Sequence, residues 1–208
     1  PFWELIRKHA LITFAGTFTV VACFAIFYLS TAFALAHGTT TLGYDREQFL
    51  ITQLAAIAFL AAGIIIAGIR ADKASANQVL SWGCAATIGL GLTFGPALGA
   101  GSLWLVWGML SLALFIMGFV YGPLGVWLPS LFPPQIRYTG VSVAFNAGGI
   151  LGGALAPIIA QALTDAGGTS LVGLYLTMAG IFSLAGLKLV GKLMPDNMSE
   201  YKKRKDTD

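Results

Sequence analysis

The sequence predicts an all-α membrane protein, a six-transmembrane-helix bundle, and three observations carry that prediction. The first is composition. Of 208 residues, 57% are AVILMFWYC and only 10% are charged, far outside the range of a soluble globular domain. The second is a set of six apolar runs: 11–36, 48–69, 79–98, Leu103–Leu131, 139–163 and 171–193. Each can supply the roughly 20 helical residues that a hydrocarbon core about 30 Å thick requires. Their interiors hold no Asp, Glu, Lys or Arg except Lys188 and Lys192, near the end of the last. The third is charge placement. Alternate crossings gather Arg7, Lys8, Arg70, Lys73, Arg137, Lys188, Lys192, Lys202, Lys203, Arg204 and Lys205 on one side and leave only Arg46 on the other. By the positive-inside rule the basic side is cytoplasmic. A multi-pass protein of the cytoplasmic (inner or plasma) membrane, with both termini inside, is therefore expected.

Taken in order, residues 1–10 read as a cytoplasmic lead-in. They begin at Pro1, carry Glu4 among their charges and precede a full span, unlike a signal peptide; they suggest the central loop of a longer protein. In the first run Tyr28 and Thr31 share a helical face with Phe24. Residues 37–47 form an external loop, where Asp45 or Thr41 can cap the second helix. Gln53, near the external end of the second run, is expected to meet water. Residues 70–77 form an internal loop, and Gly99–Ser102 a turn tight enough to make the third and fourth spans antiparallel neighbours. Gly122–Pro123 and Pro129 interrupt the fourth run and predict a kink beside Tyr121. Pro133 and Pro134 stop that helix in the second internal loop.

Asn146 lies about 13 Å into the fifth run at 1.5 Å per residue, close to the bilayer midplane. Its amide needs a partner there, either a neighbouring helix or a solute. Gly148, Gly149, Gly152 and Gly153 form two overlapping G-x-x-x-G pairs, the pattern of close helix packing. Residues 164–170 close the last external turn, and 194–208 form a basic cytoplasmic tail. Its KKRK run directly follows a span, so an anionic lipid surface rather than nucleic acid is the expected partner.

Enzyme constellations are absent. There is no Ser/His/Asp grouping, no H-E-x-x-H and no C-x-x-C, and His9 and His37 fall at opposite membrane faces. Cys23 and Cys84 lie inside apolar runs and read as small buried hydrophobes rather than a disulfide or a metal pair. Neither a catalytic residue, a metal site nor a cofactor is expected. What remains is hydrogen-bonding chemistry near the bilayer centre: Tyr28, Thr31, Tyr121 and Asn146.

Three segments resemble the C-terminal half of a major facilitator superfamily transporter, in particular the metabolite:proton symporter family. The strongest is LFPPQIRYTGVSVAFNAGGILGGALAPIIA at 131–160, similar to that family's internal loop and eleventh helix. GIRADK at 68–73 resembles the start of the loop between helices eight and nine; Ser75, Ala76 and Asn77 stand where Gly-Arg-Arg is usual. FYLSTAFALAHGTTTL at 27–42 is similar to the seventh helix, with Cys23 and Phe24 where many relatives carry Glu-Asn.

The resemblance covers nearly the whole chain. It implies helices seven to twelve of a twelve-helix fold, with an N-terminal six-helix half elsewhere in the same protein. It further implies alternating access around a midplane site, for a small organic solute such as a carboxylate, driven by H⁺. The first, second, fourth and fifth spans would line the cavity with Tyr28, Thr31, Tyr121 and Asn146, and the third and sixth would face lipid. Asp72, Lys73 and Arg137 would form a cytoplasmic gate, with Arg137 the first partner to test for Asp72. Two rival readings remain open at this stage: a truncated remnant that inserts without transporting, and a half-size transporter acting as a homodimer.

Overall fold

In the computed structural model, which describes residues 2–194, six helices are long and apolar enough to cross a membrane. They are Ala10–Thr40, Arg46–Lys73, Ala76–Leu98, Leu103–Leu131, Arg137–Gly167 and Thr169–Leu193, the first to sixth spans. A short helix, Phe2–Lys8, leads into the first. No strand occurs among the described residues. In lipid every backbone N–H and C=O must be satisfied within the protein, and six helices do so without a sheet edge.

The helices overrun the apolar limits of the sequence. The second continues through Arg70–Lys73, so the first internal loop shrinks to Ala74 and Ser75. Ser75 caps the third span and Asp45 the second, each accepting from the backbone N–H three residues on, at 3.2 and 2.9 Å. The fourth span runs helically through Pro123, whose ring is buried. Gly101 takes a φ of +71° in the turn that follows the third span, a conformation glycine adopts without a Cβ clash.

Packing pairs the second span with the fourth, the third with both the fourth and the sixth, and the first with the fourth, fifth and sixth. Association in lipid relies on close backbone approach and interhelical hydrogen bonds, and glycine supplies the approach. A Cβ on Gly63 would strike the Phe115 carbonyl, one on Gly118 the Leu60 carbonyl, and one on Gly173 the Gly91 carbonyl. Hydroxyls add specific ties. Thr169 Oγ1 donates to the Gly95 carbonyl at 2.9 Å. Ser183 of the sixth span bridges one turn of the first: Ala22 N–H donates to its Oγ at 2.8 Å, and its O–H donates to the Phe18 carbonyl at 2.8 Å.

Coverage is uneven. Within the most apolar window of each span, 67% of the first is buried but only 28% of the second and 33% of the fifth. The first span is therefore the core of the bundle, and the second and fifth are the least covered. The third and sixth, at 50% and 44%, are better covered than either.

Candidate functional site

The first span changes pitch where its polar residues lie. Leu29–Phe33 is wound as a wider π-helical turn beginning directly after Tyr28, with Ala34 N–H reaching back to the Leu29 carbonyl. Such turns shift carbonyls out of the regular ladder and recur at functional sites. Thr31 Oγ1 donates to the Phe27 carbonyl at 2.6 Å. Gln53 of the second span donates through Nε2 to the carbonyls of both Ser30 and Thr31, each at 2.9 Å. Gln53 is buried, not at the water interface as its position in the run suggested. Sequence position gives depth in the bilayer; it does not give the rotation of one helix against another, and that rotation turns this amide inward.

A second widened turn, Ile150–Ala154, lies in the fifth span and packs on the first. Its glycines divide by partner. A Cβ on Gly152 would meet the Val21 carbonyl, and one on Gly148 would stand 3.0 Å from the Thr17 carbonyl. One on Gly149 would meet the Phe24 ring at 3.3 Å, and one on Gly153 the Tyr28 ring at 2.8 Å. The two widened turns thus share one interface, and the Tyr28 ring lies over bare backbone. Phe24 and Phe145 close the next level with an edge contact at 4.9 Å.

Asn146 behaves differently from an interhelical tie. Its Nδ2 donates to the Ser142 carbonyl of its own helix at 2.8 Å, and the residue is exposed. Two positions from Gly148, it stands about 200° around the helix from the stripe packed on the first span. Tyr121 is exposed with Gly125. By helical spacing the two lie between the face that meets the second span at Gly118 and the face that meets the first at Leu128. All four polar candidates are at least partly uncovered. No hydrogen bond among the described residues links Tyr28, Tyr121 and Asn146 to one another. Sequence reasoning placed Gln53 at the water interface and missed its partners, the carbonyls of Ser30 and Thr31 on the first span.

At the basic end, Asp72 and Lys73 occupy the last turn of the second span and Arg137 opens the fifth. Arg137 Nε donates to the Phe132 carbonyl at 3.2 Å. The described residues show no ion pair between Asp72 and Arg137. Arg137 instead lines a cavity of about 720 Å³ that also involves Lys8, His9 and Ser130. At the opposite end, a groove of about 550 Å³ runs between the first and fifth spans, past Phe33, Gln161 and Asp165. There Gln161 Nε2 donates to Asp165 at 2.9 Å, and the buried His37 stacks on Phe33 with ring centroids 5.4 Å apart.

These features define a six-helix membrane bundle whose second and fifth spans are sparsely covered. The chain is a partial match to the metabolite transport proteins of the major facilitator superfamily, and it corresponds to their C-terminal half. It is 35% identical over 199 residues to the inner membrane metabolite transport protein YhjE of Escherichia coli K12, spanning 93% of this chain and 44% of that protein. A putative metabolite transport protein of Haemophilus influenzae is 32% identical over 198 residues, 90% of this chain and 45% of its own length. Another from the same organism is 29% identical over 203 residues, 92% and 45% of the two chains. The chain therefore spans less than half the length of these relatives. No family model matches it, and no solved structure does.

Proposed function

We propose that the chain is the C-terminal half of a secondary active transporter that takes up a small organic metabolite by alternating access, coupled to inward proton flow. The observation that carries this reading is the sparse coverage of the second and fifth spans, 28% and 33%, the fifth of which carries Asn146 and packs on the first beside Tyr28. An N-terminal six-helix half of the same protein covers that face and completes the cavity. Tyr28, Thr31, Tyr121 and Asn146 contribute hydrogen bonds to the solute from this side. The apolar rings of Phe24, Phe27 and Phe145 exclude water around them.

Asn146 suits this role because its amide oxygen is not committed to the bond with Ser142, which uses only Nδ2. The interiors of the described spans carry no Asp or Glu. The coupling carboxylate is accordingly assigned to the other half, and carboxylates are the first solutes to test. The basic end faces the cytoplasm, and both termini of the chain lie there. Asp72, Lys73 and Arg137 serve a gate on that side; Asp72 and Arg137 are apart here and would meet in the opposite state.

Radiolabelled carboxylate uptake into cells carrying the full-length transporter tests the site. Tyr121→Phe and Asn146→Ala are expected to raise KM or lower the rate several-fold while membrane insertion stays normal, a loss of about 1 kcal/mol or more per hydrogen bond. Unaltered kinetics in both variants would remove these residues from the site.

A further inference from the structure

The cavity at the basic end lies away from the proposed solute site and shares Arg137 with the proposed gate. It lies where Phe2–Lys8 joins the first span, bounded by the loop before the fifth span and by the end of the sixth. Its polar lining is Lys8, His9, Arg137 and Ser130, and no Asp or Glu is among the described residues that line it. Leu11, Ile12, Leu193 and Met194 supply an apolar wall. Cations on one side and hydrocarbon on the other are the two halves of an amphiphile's complement.

We propose that this cavity binds the headgroup phosphate of an anionic phospholipid, with an acyl chain leaving along the first span. Arg137 is held by its Nε bond to the Phe132 carbonyl, which fixes the plane of the guanidinium and leaves its terminal nitrogens for a phosphate fork. Lys8 pairs with Glu4 at 3.6 Å, one helical turn away and with both side chains well exposed. Solvent screens such a pair, so it yields readily to a stronger anion. Below the cavity, Leu11 and Phe14 are 53% and 57% exposed on the same helix and form a track for the chain. The lead-in helix presents Phe2, Trp3 and Ile6 outward, an arrangement suited to the depth of lipid headgroups. Basic pockets between helices at this membrane face are suited to acidic headgroups. Inorganic phosphate would use the cations but gain nothing from the apolar wall, which is why the lipid is the assigned occupant.

The test uses the full-length protein in detergent, equilibrated with equal amounts of dioleoyl phosphatidylglycerol and dioleoyl phosphatidylcholine and read by native mass spectrometry. The protein should retain phosphatidylglycerol in preference, and the pair Lys8→Gln and Arg137→Gln should cut that retention by roughly tenfold or more. Arg137→Lys with Lys8 intact should keep most of it. Equal retention by the double variant and the parent would overturn the site. Displacement of phosphatidylglycerol by millimolar inorganic phosphate would overturn the lipid assignment in favour of a soluble anion. If the double variant fails to fold, a photoreactive phosphatidylglycerol applied to the unaltered protein decides. Labelling within 8–14 or beside Leu193 supports the proposal, and labelling confined to other segments overturns it. Neither readout depends on transport, so its failure would leave the solute site untouched.

Discussion

One buried amide holds the widened turn of the first span. Gln53 satisfies two carbonyls, of Ser30 and Thr31, in a setting where an orphaned polar group is costly. Replacing it with leucine keeps the bulk and removes both donors. Gln53→Leu is expected to destabilise the bundle by about 1–3 kcal/mol, seen as a lower thermal midpoint in detergent. An unchanged midpoint would mean that the turn is held by its own backbone. Single residues were legible in the sequence when their partners were local. Asp45 sits directly before a helix, and its capping bond reaches only to Gln48. Gln53 was illegible because its partners lie 23 and 22 positions away on another helix. Asn146 went the other way: an interhelical bond was one expectation, and the nearest acceptor proved to be its own preceding turn.

At the scale of elements, hydrophobicity found all six spans but misplaced their ends. A run of apolar residues marks where lipid is, whereas a helix continues until its hydrogen bonds lose their partners or a cap intervenes. Arg70–Lys73 therefore stays helical although it is polar. The two π-helical turns left no hydropathy signal, because widening a turn changes backbone bonding and not composition. The glycines of the fifth span did carry information, since their spacing brings small residues to one face. Gly152→Val is expected to cost about 1–3 kcal/mol through overpacking against the Val21 backbone. Gly108 has open space where a Cβ would go, so Gly108→Ala should be neutral or slightly stabilising. Thermal midpoints of the two variants check the contrast; equal effects would mean that the interface between the first and fifth spans is slack.

For the whole molecule, the proposed second half would cover the sparsely buried second and fifth spans. An antibody against the tail sequence should detect a native polypeptide of about twice 21.8 kDa, in keeping with relatives of which this chain spans 44% and 45%. A native chain no larger than this one would remove the second half from the proposal. The number of spans and the basic asymmetry were legible in the sequence because each is a property of the chain in one dimension. Which faces stay bare was not, because it follows from how the spans rotate against one another. The Ser183 hydroxyl carries a consequence for the protein's birth. It joins residues 161 and 165 positions apart, so during synthesis the first helix enters the bilayer well before its partner has been made. That turn must wait, served by its own backbone, until the sixth span has been made. A chain interrupted before Ser183 leaves the first span without this clasp.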